Sequence, residues 1–186
     1  MENFFSIIQG KNLVSDELKE ELKSNFTEFT YPKGTVFIKE GNYCSELFFL
    51  KSGLVRSYCY DQEKEITTWF YFADDIFTSL YSFFSRRRGF ENFETLEDST
   101  AFSIQQKDLD RLYDSYPKLE RFMRLHLEES VAAYDYHTKG FLFMTAAKRY
   151  EQLLSLFPDI EQRVNLGHIA SYLGITQETL SRIRSK

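Results

Sequence analysis

The chain has 186 residues, 42% of them hydrophobic, and carries 23 Lys and Arg against 28 Asp and Glu for a formal net charge of −5. That length accommodates one medium domain and a small one. Its two isolated cysteines, Cys44 and Cys59, have neither a Cys-x-x-Cys partner nor a histidine at ligand spacing, which excludes a zinc, iron–sulfur or disulfide scaffold and predicts two small hydrophobes in strands. No stretch approaches membrane-spanning length, and Phe4, Phe5, Ile7 and Ile8 are interrupted by Ser6 and Gln9, so neither a membrane partner nor a signal peptide is expected and a cytoplasmic location follows.

Residues 1 to 30 are predicted helical, with Ser15 as a cap and Leu18 and Leu22 one turn apart. From Tyr31 to Ile104 the texture is strand and turn. Pro32-Lys33-Gly34 and Glu40-Gly41-Asn42 bracket Thr35 to Lys39, Leu47 to Leu50 and Leu54 to Tyr60 flank Lys51-Ser52-Gly53, and Ile66 to Phe72 follows a charged turn. Short strands at such spacing predict an antiparallel barrel or jelly roll, with most of its aromatic residues in the core. After Gln106 the period lengthens. Leu109 and Leu112 mark a short helix, and Lys118 to Lys139 predicts a long one, about 33 Å at the usual rise. Its stripe of Leu119, Phe122, Met123, His126, Leu127, Val131 and Tyr134 is the expected dimer interface, with packing against the chain's own barrel as the alternative.

Residues 164 to 186 read as a helix-turn-helix. Ile169, Ala170 and Leu173 line the buried face of a first helix, Gly174 permits the turn, and Thr176 caps a second helix whose Leu180 and Ile183 face inward. Thr176, Gln177, Glu178, Ser181, Arg182 and Arg184 are the expected contacts to double-stranded DNA. Chemistry assigns guanine to Arg182, cytosine to Glu178 and adenine to Gln177. An ordinary helical hairpin with a polar outer face is the competing reading. Charge favours DNA: residues 140 to 186 hold six basic and four acidic side chains, a balance of +2, which leaves −7 for the remainder.

In this order the elements resemble the catabolite-activator and fumarate-nitrate-regulator (Crp/Fnr) family of bacterial transcription factors. The resemblance rests on Pro32-Lys33-Gly34 with Glu40-Gly41, on Leu50-Lys51-Ser52-Gly53, and on Ile175 to Ile183 in the reading helix. It implies an α+β fold in three parts: a cyclic-nucleotide-binding-like β-roll over residues 1–115, a central dimerisation helix over 116–139, and a helix-turn-helix domain over 140–186. It implies a homodimer whose roll senses an effector and alters the spacing of two reading helices, and it leaves room for an RNA polymerase contact. The family's Arg-Glu-Thr-x-x-Arg pattern is kept at Glu178, Thr179 and Arg182, while Gln177 replaces the first arginine. Members often continue into a β-hairpin wing where this sequence has Arg184-Ser185-Lys186, so a short, wingless DNA domain is expected.

The effector pocket departs from the family. The Phe-x-Gly-Glu segment of its cyclic-nucleotide binders matches Ile76-Phe77-Thr78-Ser79-Leu80, and the Arg-Ser pair that binds the phosphate falls on Gly89-Phe90. A buried phosphate without its bidentate arginine is poorly compensated, so ordinary cyclic AMP binding is not expected and no cofactor is assigned. Arg86, Arg87 and Arg88 keep an anionic effector open as an alternative, beside Phe77, Thr78, Ser79 and Leu80. Tyr71, Phe77, Tyr81, Phe83, Phe84 and Phe93 either fill the pocket or line it for a different, apolar effector. Residues 1 to 43 lack the cysteines of an iron–sulfur sensor, and residues 31 to 104 lack any histidine for haem or for cupin-type metal catalysis, so no enzyme is expected. His126 and His137 are left for an interface role. A protein-interaction module of the same fold without DNA binding is the remaining alternative.

Overall fold

The computed structural model describes residues 15–185. Helix α1, Asp16–Asn25, begins where Ser15 Oγ accepts from the Leu18 amide at 3.2 Å, and it buries Leu18 and Leu22. The helical reading of residues 1–14 lies outside the described residues, and its extension to residue 30 is corrected. Thr27–Tyr31 is strand β1, in which β-branched and aromatic side chains pair with a later strand instead of continuing the helix.

Seven more strands follow in the described chain: β2 Val36–Ile38, β3 Glu46–Ser52, β4 Leu54–Asp61, β5 Lys64–Phe72, β6 Ile76–Phe77, β7 Asn92–Thr95 and β8 Ser99–Gln105. They form two antiparallel sheets, β1-β8-β3-β6 and β2-β7-β4-β5. Gly53 joins β3 to β4 at φ +100°, and a Cβ there would drive into Ser99. Cys59 lies in β4 as expected. Cys44 does not lie in a strand: it is buried in the loop before β3, where its amide donates to Ser82 Oγ at 2.8 Å.

Both faces of the roll are covered, which explains why β3 reads Leu47-Phe48-Phe49-Leu50 without alternation. Phe48 and Leu50 point between the sheets with Val55, Tyr71, Phe77 and Phe93. Leu47 and Phe49 point outward to α1 and to two later helices, α3 (Gln106–Ser115) and α4 (Pro117–Phe143). Helix α2, Leu80–Ser85, crosses between β6 and β7. Pro117 starts α4 at its first turn, where the missing amide costs nothing, and the helix runs four residues past the expected Lys139. The chain ends with α5 (Ala146–Leu156), α6 (Ile160–Arg163), α7 (Leu166–Tyr172) and α8 (Gln177–Arg184).

Candidate nucleic-acid interface

Helices α7 and α8 form the helix-turn-helix. Asn165 caps α7 by accepting from the His168 amide at 2.9 Å, and Thr176 caps α8 by accepting from Thr179 at 3.2 Å. Between them Gly174 takes φ +66° and lies so close to Phe141 that a Cβ would sit 2.9 Å from its ring. Leu180 is fully buried on Ile169, Ala170 and Leu173. Gln177, Glu178, Ser181 and Arg182 are consequently turned outward and exposed, as is Thr176.

Two of these side chains have local partners. Arg182 folds along its own helix, donating to Glu178 O and to Thr179 Oγ1. Glu178 is held below the usual carboxylate range by its own backbone amide, then by Thr176 and Arg182. Gly167 leaves room for the Gln177 amide, whose nitrogen a Cβ there would approach to 2.5 Å. Arg184 stands apart from the other expected contacts. Its Nε pairs with Glu161 at 2.6 Å, and Glu161 also accepts from Tyr150, so this guanidinium braces α8 against its own domain.

The helix-turn-helix domain is seated on the outer face of the second sheet. Leu54, Phe70 and Leu96 of the roll share one core with Tyr150, Leu153, Ile160, Ile169, Tyr172 and Leu180. β5 is an edge strand, and α7 covers that edge: the Thr67 amide donates to Ser171 Oγ at 2.9 Å, which donates on to Glu65 O. Arg56 of β4, only 3% exposed, is the charged centre of the contact. It pairs with Glu94 at 2.6 Å and with Glu65, stacks on Tyr58, and donates to His168 Nδ1 at 2.8 Å. His168 therefore accepts at Nδ1. Burial first, then Arg56, holds its pKa down, against the opposing pull of Glu94 and Glu65. Arg163 makes a second tie, bidentate to Glu97 at 2.8 and 2.9 Å, beside Phe72 stacked on Phe157. A third guanidinium, Arg149, gathers the chain at the end of α4, donating to Met144 O and Leu173 O across the Phe141 ring. Sequence reasoning missed Arg56, Arg149 and Arg163, because their acceptors are distant in sequence or are main-chain carbonyls.

Inside the roll, five rings occupy the space between the sheets. Phe48, Tyr71 and Phe93 each stack on Phe77 at 4.7 to 5.9 Å, and Phe37 meets Phe77 edge-on at 6.3 Å. Beside them Ser79 donates to Glu91, whose pKa is raised by burial and only partly lowered by that bond. A carboxyl group at this position disfavours a bound phosphate.

The expected effector pocket is divided. Phe77, Thr78 and Leu80 line a cleft of about 530 Å³ between the roll and α4, together with Trp69, Asp75 and Tyr134. Arg86, Arg87 and Arg88 do not line it: all three are exposed, Arg86 reaching Asp110 of the cleft lining at 3.5 Å and Arg88 bound to Gly41 O. Of the aromatic residues expected to fill or line the pocket, Tyr71, Phe77, Phe83 and Phe84 line this cleft, Phe93 lies between the sheets, and Tyr81 is on the surface.

Two positions of the expected dimer stripe are buried in the chain's own core. Leu119 and Phe122 are each 1% exposed within the single chain, and Met123 packs on the same core. His126 contacts Ile76 O, Leu127 lines the cleft, and Tyr134 meets Trp69 and the Tyr71 hydroxyl. His137 is likewise turned inward, between Trp69 and Tyr172, and its pKa is lowered by burial and by Arg149. Leu119, Phe122 and Met123 are thus taken up by the chain's own roll. Of the seven, Val131 is the exposed one, at 59%, and Leu142, eleven residues on, lies on the same side of α4.

Residues 28–116 match the cyclic nucleotide-binding domain family. Electron transport regulator A of Shewanella oneidensis is 27% identical over 171 residues, covering 81% of this chain, and the chain spans 64% of the length of that curated relative. Among solved structures, a CooA mutant from Carboxydothermus hydrogenoformans aligns over 88% of this chain and 77% of its own, with TM-score 0.72 and 23% identity. The catabolite activator protein of Thermus thermophilus aligns over 93% and 83%, with TM-score 0.60 and 20% identity. CooA of Carboxydothermus hydrogenoformans is a CO-dependent transcription factor.

Proposed function

We propose, for a chain whose residues 28–116 match the cyclic nucleotide-binding domain family and whose fold is similar to that of CooA and a catabolite activator protein, a homodimeric regulator of the Crp/Fnr type that reads DNA with α8 and takes no cyclic nucleotide in the usual way. The observation that carries this reading is the outward array of Gln177, Glu178, Ser181 and Arg182 on a helix whose opposite side is anchored by the fully buried Leu180. Such an array places donors and acceptors where they meet base edges when the helix enters a major groove. A single eight-residue helix has few contacts, so useful specificity requires two copies. The side of α4 bearing the exposed Val131 and Leu142 is the seam through which a second chain supplies them.

Packed rings and the Glu91 carboxylate support the absence of a cyclic nucleotide. An effector of another kind acts through the cleft between the roll and α4, whose Trp69, Phe77, Leu80, Met123 and Leu127 favour a largely apolar molecule. Capture of genomic fragments by the purified protein, at moderate salt with polyanion competitor and no added effector, tests the reading. Enrichment of fragments sharing a two-fold symmetric site supports it. Absence of enrichment, with the protein folded and dimeric, removes the effector-free reader and favours the interaction module instead.

A further inference from the structure

The loop between α2 and β7 presents aromatic and basic groups together on a roll that is otherwise acidic. Tyr81, Phe84 and Phe90 are 42%, 55% and 55% exposed, Tyr43 beside them is 65% exposed, and Arg86, Arg87 and Arg88 stand between them. Arg88 lies over the Tyr43 ring at 5.3 Å, and Tyr81 packs on Phe90 at 5.2 Å. The Arg87 guanidinium has no ion pair among the described residues. Exposed apolar rings and arginines in one patch are the composition of a binding surface, not of a solvated loop.

This loop is held rigidly. Gly41 and Gly89 tie it to the turn before β3 by two main-chain bonds, Gly41 N to Gly89 O at 2.7 Å and Gly89 N to Asn42 O at 2.8 Å. Ser82 Oγ donates to Arg87 O at 2.7 Å while accepting from the Cys44 amide. Gly89 lies so close to Ser79 that a Cβ would come within 3.1 Å of its hydroxyl. Arg86 ends α2 in the left-handed region, φ 57°, a conformation that is costly for a side chain of this size and is held here by its amide bond to Ser82 O. A preformed loop of this kind binds without the entropy cost of ordering it.

We propose that Tyr43, Tyr81, Phe84, Phe90 and Arg86–Arg88 form a docking surface for an acidic protein segment that also carries apolar side chains. Charge complementarity selects the acids, because the cluster is basic on a roll of opposite sign. The rings select the apolar residues. Duplex phosphates would satisfy the guanidiniums and leave Phe84 and Phe90 nothing to bury. The surface lies on the α2–β7 side of the roll, separate from the reading helix, so occupancy does not require DNA.

The test uses the full chain and a labelled twelve-residue peptide of alternating glutamate with leucine and phenylalanine. Controls are the same peptide with glutamine for glutamate, a twelve-nucleotide single strand, and phosphatidylcholine vesicles with and without phosphatidylserine. Saturable binding of the acidic peptide is expected, weakened about tenfold or more by Arg87→Glu and again by Phe90→Ser, with Arg87→Lys retaining most of it. Circular dichroism of each variant confirms that the roll is intact. Equal binding of the glutamine peptide, indifference to Arg87→Glu, no saturable binding, or tighter binding of the oligonucleotide or vesicles through the same residues overturns the proposal.

Discussion

Replacing Arg56 by methionine tests whether the helix-turn-helix domain is held on the roll by charge as well as by its shared core. Methionine keeps most of the apolar stem against Tyr58 and removes the guanidinium, leaving Glu94, Glu65 and His168 Nδ1 without their donor. Breaking a fully buried pair costs about 3–5 kcal/mol. Here the two carboxylate side chains are 21% and 39% exposed, so water recovers part of that and a loss of about 2–3 kcal/mol is expected. For a chain of this size that lowers Tm by roughly 4–12 °C. Hydrogen exchange should accelerate first in α7, at Ile169 to Tyr172, and only later in the inner strands β3 and β8. Adding Glu65→Gln and Glu94→Gln to Arg56→Met should recover much of the loss, because the uncompensated charges are gone. A Tm within about 2 °C of the parent, with α7 exchange unchanged, would refute the argument that Arg56 anchors that domain.

His168 and His137 are both held below the ordinary histidine value of 6.5, by burial first and then by Arg56 and Arg149 respectively. The unfolded chain therefore binds more protons as pH falls, so stability is level above about 6.5 and declines below it toward the depressed folded values. His168→Gln should flatten that decline in a pH series of urea midpoints. Leu119→Ala, at a site 1% exposed in the single chain, should cost about 2–5 kcal/mol in the same denaturant assay. Val131→Asp should leave unfolding of the monomer within about 0.5 kcal/mol yet shift sedimentation toward monomer; the reverse pattern for this pair would return Leu119 to the seam. Arg182→Ala should weaken a selected operator by about 1–3 kcal/mol and relax preference at one base position, whereas a uniform loss across sequences would make it a phosphate contact.

Much of this architecture was legible because it is local. Turn residues at Pro32 to Gly34, Gly41 and Gly53 divide the strands, a proline opens α4, and Asn165, Gly174 and Thr176 lay out the helix-turn-helix through caps and a single left-handed glycine. Where two elements compete for one apolar face, the pattern was not enough. The stripe on α4 has the right period for a partner helix, and period alone cannot say that the partner is β3 and β8 of the same chain. β1 was read as helix because its five residues are too few to announce a strand without the β8 edge they complete.

The amino-acid sequence by itself determined the order of roll, long helix and helix-turn-helix, since caps, turns and periodicity act over a few residues. Tertiary structure alone decided that Arg86 to Arg88 face outward, that Glu91 and stacked rings occupy the roll, and that Arg56 joins His168 across 112 positions. Those outcomes depend on which surfaces meet when the chain closes. Desolvation and charge pairing at such meetings have no local signature.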